Sequence, residues 1–92
     1  MIETFNCTET KKIFYGQKSK KFDAIAKVAK RKLDILHFAH AEKDLLAPPA
    51  NRFEHLKGNL KGYCSIRINS QFRIIFRFQS GGAYEVQIID YH

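Results

Sequence analysis

The sequence predicts an α+β fold: two N-terminal helices packed on an antiparallel sheet, made of a short first strand and a C-terminal three-stranded meander. Three observations carry this. An apolar stripe of helical period fills the first half, the period changes to two from Lys61 onward, and two turn signals cut the second half into three strands. Ninety-two residues are enough for one small domain, 1–92, with a modest core.

The elements follow in order. Ile2-Glu3-Thr4-Phe5 alternates and reads as a short first strand. Thr10 to Tyr15 reads as a short helix ending near Gly16. From Lys20 to Glu42, Phe22, Ile25, Ala29, Leu33, Leu36 and Ala39 or His40 form one stripe, with Lys27, Lys30, Arg31 and Asp34 mainly outside it. Ser19 is the expected N-cap, and Pro48-Pro49 forbid a helix and mark a loop.

In the second half Cys64, Ile66 and Ile68 alternate with Tyr63, Ser65, Arg67 and Asn69. Asn69-Ser70 turns the chain. Phe72, Ile74, Phe76 and Phe78 then alternate with Gln71, Arg73, Ile75 and Arg77. Ser80-Gly81-Gly82 makes a second tight turn, and Tyr84, Val86 and Ile88 complete a third strand opposite Glu85, Gln87 and Ile89.

Charge narrows the function. Lys and Arg number 16 against 9 Asp and Glu, a formal charge of +7 with a pI near 9.6. Such a balance fits a polyanionic partner, a nucleic acid first and an acidic protein second. Cys7 and Cys64 are far apart in sequence and show no CxxC or Cys/His metal spacing, which argues against a disulfide framework. No signal-peptide pattern and no run of membrane-spanning length occurs, so the expected compartment is the cytoplasm, with no membrane partner.

Strand alternation sorts the chemistry. The sheet face turned from the helices should carry Arg67, Arg73 and Arg77, with Tyr63, Ser65 and Tyr91. Arginine forks grip phosphate oxygens in pairs, and rings stack on unpaired bases. Lys57 and His55 in Glu54-His55-Leu56-Lys57-Gly58 are placed to reach the rim of that face, while His37 and His40 in the helix read as structural. The sequence ends Asp90-Tyr91-His92, and imidazole suits proton transfer near neutral pH. Alternation aims His92 at the helix side, in phase with Ile88. Asp90 and a terminal carboxylate would favour its imidazolium, the form of a general acid. No Asp/Glu/His set has divalent-metal spacing, so phosphoryl chemistry here is expected to need no metal or cofactor. RNA permits that through its internal 2′-hydroxyl nucleophile.

Leu56-Lys57-Gly58, Gly62, Ser65-Ile66-Arg67-Ile68-Asn69, Phe72-Arg73-Ile74, Phe76, Ala83-Tyr84 and Asp90-Tyr91-His92 together resemble the HigB toxins of the RelE/ParE superfamily. Arg31-Lys32-Leu33-Asp34 and Pro48-Pro49-Ala50-Asn51-Arg52 are also similar to HigB. The resemblance implies a RelE-like microbial RNase fold. It implies a type II toxin that cleaves mRNA in the A site of the 70S ribosome. It also implies a HigA-type helix-turn-helix antitoxin through which the pair meets operator DNA. Carried over, His92 is the catalytic acid, Arg73 and Lys57 hold the scissile phosphate, Asp90 and Tyr91 position His92 or the RNA, and Arg67 is a further phosphate contact. Glu54 stands where some relatives carry a His ahead of the Leu-Lys-Gly triplet. Cys64 and Phe72 stand where members often carry Trp. Two other classes remain: a ParE-like, non-enzymatic gyrase inhibitor, which needs no acid or base, and a nucleic-acid-binding module without turnover.

Overall fold

The computed structural model describes residues 1–91. Helix α1 spans Thr8–Phe14 and α2 spans Ala26–Phe38. Four antiparallel strands follow in the order β1 (Glu54–His55), β2 (Cys64–Arg67), β3 (Phe72–Gln79) and β4 (Gly82–Asp90). The architecture is the α+β one expected, with both helices on one face of the sheet.

The helical stripe does what its period requires. Phe22, Ala29, Leu33, Leu36 and Ala39 are buried against Cys64, Ile66, Ile74, Phe76, Val86 and Ile88. The predicted continuous helix is broken at both ends, however. Ser19 accepts a hydrogen bond from the Phe22 N–H but caps only a turn, and a single 3₁₀ turn, Asp23–Ile25, precedes α2. At the other end the Asp44 carboxylate accepts the N–H groups of His40 and Ala41, holding the chain in a new 3₁₀ turn, Glu42–Leu45. Ala39 stays in the core although it is extended, not helical.

The fourth strand is not the predicted one. Ile2–Phe5 makes only two isolated, parallel bridges, Ile2 with Ala83 and Phe5 with Val86. The reason is a bulge in β4. Arg77 pairs with Tyr84 but Ile75 pairs with Gln87, so Glu85 and Val86 together face one residue, and Glu85 sits at φ +56°. Its N–H is taken by the Thr4 hydroxyl, and no regular ladder can run past it. The bulge also shifts the alternation: Ala83, Val86 and Ile88 enter the core, and Tyr84, expected there, lies opposite Arg77. The sheet is instead extended at its other edge by Glu54–His55, antiparallel to β2.

Both predicted turns form. Asn69 Oδ1 accepts the N–H groups of Gln71 and Phe72, and Ser80-Gly81, both at positive φ, join β3 to β4 across the Gln79–Gly82 pair. Thr10 of α1 is fully buried and accepts the Ile88 N–H, so helix and N-terminal segment together cover the β4 edge. His37 accepts the Ile2 N–H through Nδ1. Among the described residues no helix is long and apolar enough to cross a membrane.

Candidate active site

The outer face of the sheet centres on Arg73. It stands on β3 opposite Arg67 of β2 and Ile89 of β4, and is only 9% exposed. Burying a guanidinium requires hydrogen-bond partners, and Arg73 has them. Its Nε donates to Ser65 Oγ at 2.8 Å, and its Nη2 donates to the Arg52 carbonyl at 2.6 Å. Ser65 is wholly buried beneath it. Arg52 can present that carbonyl because its backbone turns into the left-handed region, φ +45°, at the end of the Pro49–Asn51 turn. The Tyr91 ring lies 5.3 Å from the Arg73 guanidinium carbon. Glu54 is looser, 3.6 Å from Nη2 and about half exposed. The Nη1 donors are engaged by none of the contacts formed among the described residues.

A second assembly lies further along the same strand. The Arg77 guanidinium carbon sits 4.3 Å from the Tyr63 ring, and Nε lies 3.0 Å from Glu85 Oε2. Tyr63 donates its hydroxyl proton to Glu85 Oε1 at 2.7 Å, and Asn6 adds a weaker bond to the same oxygen. The shared proton holds the Tyr63 hydroxyl above its ordinary range. The same bond, with the nearby Arg77 charge, holds the Glu85 carboxyl below its own.

The remaining expected residues divide. Tyr91 joins Arg73, its N–H bonded to the Gln71 carbonyl so that the ladder continues past β4. Asp90 pairs across from Phe72, on the alternate side from Ile89, and accepts a bond from Gln71. Lys57 is exposed in the loop after β1, heading the Gly58–Leu60 turn. His92 lies outside the described residues. His55 departs from expectation: β1 pairs it with Cys64, so its ring turns away from the Arg73 face. Its Nδ1 lies 3.4 Å from Cys64 Sγ and its Nε2 lies 2.9 Å from Glu42 Oε1. Burial, and secondarily the Glu42 charge, push the Cys64 thiol up to about 11, so with no cation bound it stays protonated at neutral pH.

Three supports escaped sequence reasoning. Arg52 acts through its carbonyl, which no side-chain pattern reveals. Glu54 shares the Arg73 face only because Glu54–His55 is a strand. Lys32 is buried with its Nζ 2.6 Å from Asn51 Oδ1, and Asn51 also donates to the carbonyls of Leu45 and Ala47. That bond braces the segment ending at Arg52. Burial, then the charges of Arg31 and Arg67, lower the Lys32 pKa. Among the described residues the outer face thus offers a fixed guanidinium with unengaged donors, a ring stacked on it, and an exposed carboxylate within reach. That set can bind a phosphodiester and accept a proton beside it.

Comparison with known proteins gives a consistent family. The family profile described as "RelE-like toxin of type II toxin-antitoxin system HigB" matches residues 4–92. Toxin HigB-1 of Vibrio cholerae is 64% identical over 53 residues, 58% of this chain and 56% of that protein. The protein named endoribonuclease HigB in Proteus vulgaris is 46% identical over 37 residues, 40% of each. The chain therefore spans about half the length of these curated relatives. Among solved structures, YafQ from E. coli superposes with a TM-score of 0.65 at 13% identity, over 98% of this chain and 91% of that one. The Staphylococcus aureus YoeB–YefM toxin–antitoxin heterotetramer gives 0.61 at 22% identity, over 100% and 98%. At these identities the likeness establishes the fold alone.

Proposed function

This chain belongs to the HigB family of RelE-like toxins of type II toxin–antitoxin systems, and from that premise we propose that it is an endoribonuclease that cleaves mRNA on the ribosome. The carrying observation is Arg73: nearly buried, fixed by Ser65 and the Arg52 carbonyl, with Tyr91 stacked on it and its Nη1 donors engaged by no contact among the described residues. A phosphate settling on those donors would lie near Tyr91, the residue that precedes His92 in the sequence.

The reaction needs no metal. The RNA 2′-oxygen attacks the adjacent phosphorus and the phosphorus–5′-oxygen bond breaks, leaving a 2′,3′-cyclic phosphate and a 5′-hydroxyl. Glu54, an exposed carboxylate on this face, takes the 2′-hydroxyl proton. Arg73 and Lys57 stabilise the phosphorane charge. His92 gives its proton to the departing 5′-oxygen. Arg67, directly opposite Arg73, adds a second positive charge for the flanking phosphate. Arg77 and Tyr63 offer a flat platform at the far end of the face, and Tyr91 positions the RNA against Arg73. His55, turned away from Arg73, has no part in this mechanism.

The controlling partner is a helix-turn-helix antitoxin with an acidic surface, and operator DNA is met only through it. Opposite charge would mainly speed association, so the on-rate should fall steeply as salt rises. The decisive experiment compares the wild-type chain with His92→Gln after induction, by ribosome profiling and growth. A general acid contributes roughly 10²–10⁴-fold, so codon-specific cuts and growth arrest should vanish while circular dichroism and antitoxin binding persist. A fully toxic His92→Gln chain removes His92 from the mechanism. Gyrase-linked DNA breaks without mRNA cuts replace the reading with a gyrase inhibitor.

A further inference from the structure

We propose that Glu42, His55 and Cys64 form a site for a zinc-class divalent transition-metal ion that fastens the segment after α2 to the edge of the sheet. The three residues come from separate elements: the Glu42–Leu45 turn, β1 and β2. Their ligand atoms nevertheless lie within 4.8 Å of one another. Metal–ligand lengths of about 2.0–2.3 Å put the ligands of one tetrahedral ion roughly 3.3–3.8 Å apart, so a small contraction completes the set.

The His55 ring already touches both partners, 3.4 Å from Sγ and 2.9 Å from the carboxylate, through different nitrogens. Turning the exposed Glu42 carboxylate toward the nitrogen that faces Sγ gathers sulfur, nitrogen and oxygen on one point. The donor chemistry selects the ion. Thiolate, imidazole and carboxylate together suit zinc, and thiolate plus carboxylate neutralise its two charges. Access is built in, because Glu42 and His55 are exposed while Cys64 forms the buried floor. Three protein ligands leave a fourth position for water. Binding releases the Cys64 thiol proton to solvent, so affinity should rise with pH.

The placement has a consequence for the outer face. The segment between Glu42 and His55 carries Arg52, whose carbonyl holds Arg73, and Glu54. An ion joining both ends of that segment to β2 would stiffen this support from behind. The site itself rests on its own geometry and does not depend on the nuclease reading.

The test uses the tag-free full chain with Co²⁺ alone, then Zn²⁺ alone. Co²⁺ should bind one to one and develop a thiolate-to-metal charge-transfer band in the near ultraviolet, which Zn²⁺ abolishes by displacement. Cys64→Ser should erase the band and Cys7→Ser should leave it. His55→Gln, an exposed change that does not threaten the fold, should weaken binding at least about tenfold. Zn²⁺ should raise the wild-type melting temperature and leave that of His55→Gln unmoved. Absence of a thiolate band at stoichiometric Co²⁺ overturns the proposal. So does a band that survives Cys64→Ser, or an affinity unchanged in His55→Gln.

Discussion

Arg73 and Arg77 sit four positions apart in sequence, on one strand and one face, and each has a tyrosine ring and a glutamate for company. They are nevertheless built for different work. Arg77 is close to half exposed, stacked 4.3 Å from Tyr63, and joined at 3.0 Å to a carboxylate that also receives the tyrosine proton. Its charge is compensated within the fold. Arg73 is buried and held chiefly by a hydroxyl and a carbonyl, which fix its orientation without cancelling its charge. Its glutamate is distant and solvated. Neutral acceptors plus a stacked ring give a preorganised cation, and preorganisation is what stabilises charge that develops during a reaction. The same three residue types therefore give one guanidinium whose charge is left largely uncompensated and one structural clasp.

The strongest way to break this contrast is to truncate each arginine. Arg73→Ala should reduce single-turnover RNA cleavage by about 10²–10³, the loss seen when one preorganised donor is removed. It should also cost about 2–3 kcal/mol of stability, since buried Ser65 loses its partner. Arg77→Ala should cost less than about tenfold in cleavage, because an exposed charge acting through water is worth about 1 kcal/mol at 4 Å. Cleavage assays paired with urea unfolding measure both. Equal losses at the two positions would end the distinction.

How far this contrast was legible in the sequence depends on the scale asked about. Alternation placed Arg67, Arg73, Arg77, Tyr63 and Tyr91 together, because period-two strands leave little choice of face. It also placed Tyr84 in the core, wrongly, since the bulge at Glu85 depends on the Thr4 hydroxyl arriving from the other end of the chain. A two-residue strand has no period to detect, so the sequence shows Glu54–His55 as loop and aims His55 at the face where only Glu54 belongs. The apolar stripe runs past the end of the helix at Phe38 because Ala39 continues it. What stops it is the Asp44 carboxylate, five residues further on. Which arginine keeps its charge is a matter of register and of a backbone carbonyl, and neither is written in side-chain order.

A smaller effect sharpens the clasp. Gly62 sits at φ +95°, and a Cβ there would lie 2.5 Å from Arg77 Nη1. The clash is with the end of a long side chain, so Arg77 can retreat from Tyr63, but the backbone strain cannot. Gly62→Ala should cost about 1–2 kcal/mol in urea unfolding. The Tyr63 hydroxyl reports the retreat. Arg77 lowers its pKa while Glu85 and burial raise it, so losing Arg77 should push Tyr63 further up in an NMR titration. Cleavage should change little, whereas the corresponding disturbance beside Arg73 would abolish it.

The smallest effect tests compensation directly. Glu85 titrates below its ordinary range because it accepts the Tyr63 proton, with Arg77 and Asn6 assisting. A depressed carboxyl stabilises the fold at pH values above the ordinary carboxylate range, and that contribution is lost as pH falls through the depressed value. Glu85→Gln should therefore be slightly less stable than wild type near pH 7, with the gap closing as urea midpoints are followed toward pH 3. It also leaves Arg77 uncompensated. If Arg77 is silent toward RNA only because Glu85 neutralises it, the variant should contact one more phosphate. The slope of log affinity against log salt for single-stranded RNA should then steepen by about 0.7. An unchanged slope would mean that position on the face, more than charge, separates the two arginines. The preorganised geometry around Arg73 would then carry the whole difference.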